Sequence, residues 1–335
     1  MLKYVNLNCE TMKRLLMLLL AGATMIGVQY AQNNQYTPAD AAAYFNQSIE
    51  LMKVDLPLAI QKLDSCLILC NIIGDSALEI RAKAEPFMCD LNLRYAGNLY
   101  YDQKQKEKAL IAARQTLSLC EKYQNEEIGS KTKKLLSQIY SSIGSAYFSA
   151  KEYNKAIVAF DSAYYFDPKL SSMLLNKAIA YRALKNLDAF VENIDKFISI
   201  ATQEGDSSQV KKAQKMAIEY LRAEGSRANA QNKGKEAEAL LIKALSYGED
   251  KDAYYYLADV STKLKKYNDA IEYAQKGLAM ETGSNEDKAK YYYALGTAYL
   301  ALGKKDDACG AFKNAAFGKF AQAAKAQMVN NKCGQ

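Results

Sequence analysis

The sequence contains no histidine and no tryptophan, and only four of its 335 residues are proline. Without histidine, the chain has no Ser-His-Asp or Cys-His pair, no HExxH zinc helix and no imidazole general base. Much hydrolytic chemistry is thereby excluded, although catalysis by a pair of carboxylates is not. Glycine is also modest at 17 residues. Because long helices tolerate neither proline nor glycine well, this composition favours an all-helical chain.

The charge distribution argues against a nucleic-acid partner. Lysine and arginine number 44 and the acidic residues 37, which gives a formal net charge of +7. Basic and acidic residues alternate along most segments, as on solvated helix faces, and no block of like charge occurs. A nucleic-acid-binding domain carries a concentrated basic stripe, and this sequence has none.

The N-terminus has the layout of a secretory signal peptide. Lys13 and Arg14 precede an apolar run at 15–28, and the small residue Ala31 precedes a polar turn. The 14-residue run is shorter than the about 20 residues that cross a bilayer. We therefore expect residues 1–31 to be an upstream extension plus a signal peptide that starts at Met12. The expected product is periplasmic, on the cell surface or extracellular, with no membrane span after cleavage; a membrane anchor is the alternative.

The stretch 137–168 places small residues and aromatic residues at fixed offsets. If Ser137 is position 1, Gly144 is position 8, Ala156 position 20 and Phe160 position 24. Two antiparallel helices would approach most closely at the two small residues, and Pro168 would end the second helix. The frame recurs from Asp90, Ser171, Ile218, Lys251 and Ala289. The residues expected to pack in this way are Gly97, Ala109, Gly144, Ala156, Ala178, Gly225, Ala237, Ala258, Ala270, Gly296 and Ala308.

This pattern resembles the tetratricopeptide repeat, a helix-turn-helix of about 34 residues. The resemblance implies an all-α, right-handed superhelical solenoid of six to seven hairpins over residues 39–317. A short linker at 32–38 would precede it. A capping helix and tail at 318–335 would cover the last apolar face, as a soluble solenoid requires. Similar long repeats occur in exported proteins of the Bacteroides type.

Two irregularities modify this frame. In the repeat from Ser171, Phe190 stands where a small residue is expected, which predicts a shortened turn with Ala189 in that role. Extra residues at 71–85, 122–134 and 201–212 predict elongated hairpins. We expect each of their two helices to gain roughly 9 Å at about 1.5 Å per residue.

The resemblance also implies a concave groove lined by positions 2, 5, 9 and 12 of the first helices. Tyr255 and Tyr293 share position 5 in adjacent repeats and offer the rigid, half-polar contact area that dominates protein recognition. Their alternative role is core packing. Arg94 and Asn98 match half of a clamp for a C-terminal carboxylate, but the other clamp positions do not match. The candidate groove residues are Arg94, Asn98, Tyr101, Phe148, Arg182, Tyr255, Asp259 and Tyr293.

The cysteines suggest one disulfide and no metal site. Cys89 and Cys120 are equally far from a hairpin turn centred near Lys104–Gln105, so antiparallel packing would place them opposite each other. The alternative is that both are small buried hydrophobic residues. No two pairs of cysteines have the spacing of a zinc site, and no cofactor is expected.

These observations favour a non-enzymatic scaffold that binds a protein or peptide partner along the groove. One alternative is an assembly component of an envelope multi-protein complex. Another is an enzyme whose carboxylate pair acts on a glycan or peptide substrate. The presence of acidic residues is the only observation in its favour, and helical repeats rarely form a deep pocket.

Overall fold

The computed structural model describes residues 36–334, and the predicted signal peptide lies outside them. The described chain is helical throughout and contains no strand, which confirms the all-α repeat fold. It divides into two compact units, one ending at Ile139 and the other starting at Tyr140.

Fourteen helices form seven consecutive hairpins, each with a first and a second helix. The hairpins are α1 Pro38–Leu51 with α2 Leu56–Ile73, α3 Leu78–Tyr101 with α4 Lys106–Lys122, α5 Glu126–Ser149 with α6 Tyr153–Phe166, α7 Ser172–Ala183 with α8 Leu187–Gln203, α9 Ser207–Ala230 with α10 Gly234–Leu245, α11 Lys251–Lys263 with α12 Tyr267–Met280, and α13 Asn285–Ala301 with α14 Lys305–Asn314. A 3-10 turn, Gly318–Phe320, leads into the last helix, α15, Ala321–Asn330. The predicted cap at 318–335 therefore contains a helix.

The repeat frame read from the sequence is visible in the backbone of every hairpin turn from the second onward. Position 15 of each repeat adopts a left-handed conformation with φ between 57° and 76°, and the second helix begins at position 17. The residues at position 15 are Lys104, Lys151, Lys185, Asn232, Lys265 and Gly303. One turn geometry therefore serves six repeats.

The prediction of a shortened turn in the repeat from Ser171 is wrong. Its turn has the same length as the others, and Phe190 stays at position 20 with its side chain fully buried. The ring finds room because it packs edge-on against Tyr220 of the next hairpin, with 4.7 Å between ring centroids. Ala189 does not replace it.

Three glycines at position 8 lie where the two helices of a hairpin touch. A Cβ atom added to Gly144, Gly225 or Gly296 would lie 2.6–2.7 Å from the position-24 side chain of the same hairpin. Those side chains are Phe160, Leu241 and Phe312. Gly97 is different, because a Cβ there would meet only Tyr101 at 3.9 Å. The packing role predicted for position 8 therefore holds for three of its four glycines.

The elongated hairpins are present, but the extra length is not shared equally. The first helices α3, α5 and α9 have 24 residues each, against 12 in α7 and 13 in α11. The preceding second helices α2, α4 and α8 have 17 or 18 residues, against 14 in α6 and α12. Each long first helix is about 36 Å long, which is about 16–18 Å longer than α7 or α11.

One stretch of the described chain, Leu56–Tyr101, is long and apolar enough to cross a membrane by length and composition alone. It covers α2, a 3-10 turn and α3. Leu63, Cys66 and Leu91 from these helices are fully buried in the core of the first unit. Core helices of soluble proteins pass the same test, so the stretch is weak evidence for a span.

Candidate binding surface

The groove positions of successive repeats lie side by side in the second unit. Side chains at positions 2, 5, 9 and 12 of α9, α11 and α13 form a row in which polar contacts link α9 to α11 and α11 to α13. We call this set the first-helix strip; it consists of Arg222, Asn229, Asp252, Tyr255, Asp259, Lys290 and Tyr293.

Ion pairs link one end of the strip. Arg222 Nη1 lies 2.7 Å from Asp250 Oδ2 and 3.6 Å from Asp252 Oδ2, and Lys290 Nζ donates to Asp252 Oδ1. Burial alone would raise the pKa of Asp252. The hydrogen bond and charge of Lys290, together with Arg222 and Lys251, outweigh it and hold the pKa below its ordinary value of 3.8. Asp252 thus connects α11 to both neighbouring first helices.

A second polar group closes the other end of the strip. Asn229 Nδ2 donates to Asp259 Oδ2 at 2.6 Å, and Lys263 Nζ donates to Asn229 Oδ1 at 2.8 Å. Lys263 also pairs with Asp259 at 2.9 Å. Because Asn229 is buried, its side chain needs these partners, and they fix α9 against α11.

Tyr255 lies between these two polar groups and is half-buried. Its ring lies 6.0 Å edge-on from Tyr291, and Lys290 Nζ lies 5.5 Å from the centre of its ring. Burial raises the pKa of the Tyr255 hydroxyl, and the charge of Asp259 adds to the effect. That hydroxyl makes no hydrogen bond to any residue between 36 and 334. It is a free polar tip on a ring fixed by packing.

Tyr293 is the equivalent residue in the next repeat, and it is also half-buried. Its ring packs edge-on against Phe312 of α14, with 5.7 Å between ring centroids, and at a tilt against Phe320, with 5.4 Å between centroids. Both position-5 tyrosines therefore combine the two roles left open by the sequence. One side of each ring packs between elements, while the hydroxyl finds no hydrogen-bond partner within the described chain.

The other predicted groove residues are not all in this strip. Phe148 packs edge-on against Tyr153 across its own hairpin turn at 5.3 Å, and Arg182 is exposed near Tyr220. In the first unit, Tyr101 is half exposed and donates to Gln138.

The two residues of the half-clamp are occupied within their own helix and turn. Arg94 Nε pairs with Asp90 at 2.7 Å, and Asn98 Nδ2 donates to Asp102 at 2.8 Å. Gln103 in turn donates to the Asn98 side-chain oxygen at 2.6 Å. A bound carboxylate would have to displace these partners.

Two cavities flank the overhang of α9, and sequence reasoning did not find them. One of about 530 Å³ lies between α9 and the turn before α11, and its walls include Lys211, Ile218, Arg222, Tyr247 and Asp250. The other, of about 270 Å³, lies between α7, α8 and α9. The extra residues at 201–212 were the signal for them, because a long helix beside a short one leaves its outer turns uncovered.

The predicted Cys89–Cys120 disulfide is wrong for this structure. Antiparallel packing does place the two residues together, but both remain buried free thiols. Burial, with the neighbouring Cys120, raises the pKa of Cys89 to about 12. The two thiols are therefore neighbours without a covalent bond. The disulfide in the described residues joins Cys309 and Cys333, with 5.5 Å between their Cα atoms.

No group of three or more histidine, cysteine or acidic side chains in residues 36–334 is placed to hold a metal ion. The ionised groups of the strip are instead paired with one another.

A family model described as "Tetratricopeptide repeat" matches residues 137–170 and 289–316. No curated protein sequence matches the chain significantly. Among solved structures, the chain is similar to the MamA protein, with 22% identity over 58% of this chain and 94% of that one and a TM-score of 0.35. A tetratricopeptide repeat protein from Parabacteroides merdae ATCC 43184 is 18% identical over 87% and 98%, with a TM-score of 0.28. YrrB, described as having an unusual peptide-binding site, is 15% identical over 56% and 91%, with a TM-score of 0.35. At such TM-scores these likenesses carry no weight, and the fold is defined by the hairpins described above.

Proposed function

We propose that this chain, two segments of which match the tetratricopeptide repeat, is a non-enzymatic scaffold. It binds a protein or peptide partner along the first-helix strip. A repeat array uses an extended surface rather than a deep pocket, which suits a partner of extended shape.

The state of the Tyr255 hydroxyl is the observation that supports this surface best. The charged and amide groups around it are paired with one another, and the hydroxyl alone has no partner among residues 36–334. An aromatic ring fixed by packing loses little freedom when a partner binds, and its free hydroxyl can donate to a partner carbonyl. Tyr293 offers the same combination one repeat further on.

A peptide selection tests this surface. Peptides are selected from a random displayed library on the purified protein, and their dissociation constants are measured by fluorescence polarisation. We expect Tyr255→Ala to weaken binding at least about 10-fold, because a central interface tyrosine contributes about 2 kcal/mol. Tyr255→Phe should lose about 5-fold, the equivalent of one hydrogen bond of about 1 kcal/mol.

The matched control is Tyr165→Ala, which removes a 78% exposed tyrosine from the second helix α6. It should leave the dissociation constants unchanged. If Tyr255→Ala and Tyr165→Ala bind the selected peptides equally well and both retain helical circular dichroism, the strip is not the binding surface.

We further propose that the scaffold acts outside the cytoplasm, on the basis of the charged and apolar sequence at 13–28 and the small residue at Ala31. N-terminal sequencing of the protein isolated from its native cell should start near residue 32. Replacing Lys13 and Arg14 by Glu should leave the uncut chain in the cytoplasm. A native protein that starts at Met12 and fractionates with the cytoplasm would contradict export.

A further inference from the structure

The apolar face of the last hairpin is covered by α15. Phe320, just before this helix, packs against Tyr293 with 5.4 Å between ring centres. Ala324 and Met328 on α15 join the cluster around Phe312, a residue that is only 1% exposed. The helix and Phe320 therefore shield Phe312 and the side of the Tyr293 ring that faces Phe320.

The noncovalent contacts that hold α15 are few. Ala324 is the single fully buried residue in the helix, and Phe320 at its start provides no side-chain cap. Within residues 36–334, no ion pair joins Lys319, Lys325 or Lys332 to another element. A helix of 10 residues is marginal without tertiary support.

A covalent bond supplies the missing support. Cys309 on α14 is joined to Cys333, three residues beyond the end of α15, so the bond closes a loop with a sequence separation of 24. Both cysteines are only partly buried. The four free thiols, Cys66, Cys70, Cys89 and Cys120, are at most 2% exposed. Among the cysteines of residues 36–334, a dissolved thiol reagent therefore reaches the disulfide first.

We propose that the Cys309–Cys333 disulfide, here called the C-terminal latch, holds α15 on the last hairpin, and that reduction of this bond by a dithiol releases the helix and uncovers Tyr293 and Phe312. This device goes beyond the proposed binding function and does not depend on it.

The reaction is an ordinary thiol–disulfide exchange. A thiolate of the dithiol attacks one sulfur of the latch, and a mixed disulfide forms as the latch bond breaks. The second thiol of the dithiol then displaces the remaining cysteine. Two electrons and two protons pass to Cys309 and Cys333, which become thiols, and the dithiol becomes a disulfide.

The buried cysteines do not interfere with this exchange. Burial raises the pKa of both Cys66 and Cys89 to about 12, so their thiols stay protonated near neutral pH. A protonated thiol is a poor nucleophile. Because all four thiols are also at most 2% exposed, reduction and reoxidation of the latch proceed without disulfide reshuffling inside the first unit.

Hydrogen exchange with mass spectrometry tests the latch in the intact protein, with and without dithiothreitol. We expect amides in 318–333 to exchange at least 10-fold faster after reduction, while amides in 38–122 keep their rates. Iodoacetamide added under the same native conditions should label Cys309 and Cys333 and leave the four buried thiols unlabelled. Hydroxyl-radical footprinting should show higher labelling of Tyr293 and Phe312.

The double variant Cys309→Ser with Cys333→Ser is the matched control. It should exchange like the reduced protein, and dithiothreitol should change it no further. Unchanged protection of 318–333 in wild-type protein whose reduction is verified by labelling would overturn the proposal. So would labelling of both cysteines before any reductant is added.

Discussion

At the scale of single residues, two glycines at the same repeat position have opposite roles. Gly144 faces the ring of Phe160, which is 2% exposed and cannot move aside, and an added Cβ would lie 2.6 Å from it. Gly97 has no such neighbour. Identical positions in a repeat therefore do not imply identical energetics.

Alanine at these two glycines should shift stability in opposite directions. We expect Gly144→Ala to lower the free energy of unfolding by about 1–3 kcal/mol, because it overpacks the hairpin interface. Gly97→Ala should raise it by up to about 1 kcal/mol, since alanine is the better helix former in open space. Urea unfolding of both variants and the wild type measures this. The packing account fails if both substitutions change stability in the same direction.

The depressed pKa of Asp252 predicts a pH-dependent link between repeats. A carboxyl whose pKa is lower in the folded protein contributes stability above its ordinary pKa of 3.8 and loses that contribution as the pH falls through the folded value. Asp252→Asn should therefore be less stable than wild type at neutral pH, and the difference should shrink as the pH falls below 3.8 through the lowered folded-state pKa.

Urea unfolding at several pH values measures this difference. Glu204→Gln, at an exposed carboxylate without an ion pair among residues 36–334, should follow the wild-type curve throughout. A constant gap between Asp252→Asn and wild type from neutral to acid would show that the carboxylate charge is not what matters.

Some side-chain pairings followed from the sequence and others did not. Cys89 and Cys120 are equally far from their hairpin turn, which predicts that they lie opposite each other. The structure confirms that placement but not the disulfide bond. The sequence midpoint of Cys309 and Cys333 is residue 321, which comes directly after the 3-10 turn at Gly318–Phe320. The spacing of this pair is therefore compatible with a disulfide, although the repeat pattern predicts only a capping helix for the tail.

At the scale of helices and turns, lysine occupies a backbone conformation that favours glycine. Lys104, Lys151, Lys185 and Lys265 all sit at position 15 with φ near 60°. For a residue with a Cβ, the left-handed conformation costs roughly 1–2 kcal/mol. The last repeat already has Gly303 there.

Glycine at position 15 should therefore stabilise the protein. We expect Lys151→Gly to raise the free energy of unfolding by about 0.5–1 kcal/mol, because the relief of strain exceeds the extra freedom of glycine in the unfolded chain. Lys155→Gly, inside α6, should lower it by about 1 kcal/mol. Thermal unfolding followed by circular dichroism compares the two variants. A loss of stability in Lys151→Gly would rule out strain at this turn.

The helices themselves were largely predictable, but their partners were not. The extra residues at 71–85, 122–134 and 201–212 indicated longer helices, yet only the structure shows that the first helices take most of the added length. For Phe190, a local rule required a small residue, whereas contact with Tyr220 of the next hairpin decided the outcome. Sequence offsets describe one hairpin well and say little about the space between hairpins.

At the scale of the whole molecule, each hairpin depends chiefly on its neighbours in sequence, so damage should stay local. Leu241 is fully buried between α9, α10 and α11. Leu241→Ala should remove about 2–5 kcal/mol from that region. Hydrogen exchange should show that amides in 207–263 lose protection, whereas amides in 38–101 keep theirs. An even loss along the entire chain would instead indicate one fully cooperative unit.

The repeat frame, and with it the fold class, could be predicted because the same offsets of small and aromatic residues recur in six repeats of one sequence. The binding strip could be predicted only in part. Position numbers identified Tyr255 and Asp259, but the pairing of Arg222, Asp252 and Lys290 depends on helix offsets that a single repeat does not contain.

The disulfide near the C-terminus also has a mechanical consequence. A chain stretched by its two ends extends only through segments that are free to unravel. The loop closed between Cys309 and Cys333 spans 24 residues, or about 80 Å at the roughly 3.5 Å per residue of extended chain. Under oxidising conditions that contour length stays hidden from an applied force, and a reductant makes it available.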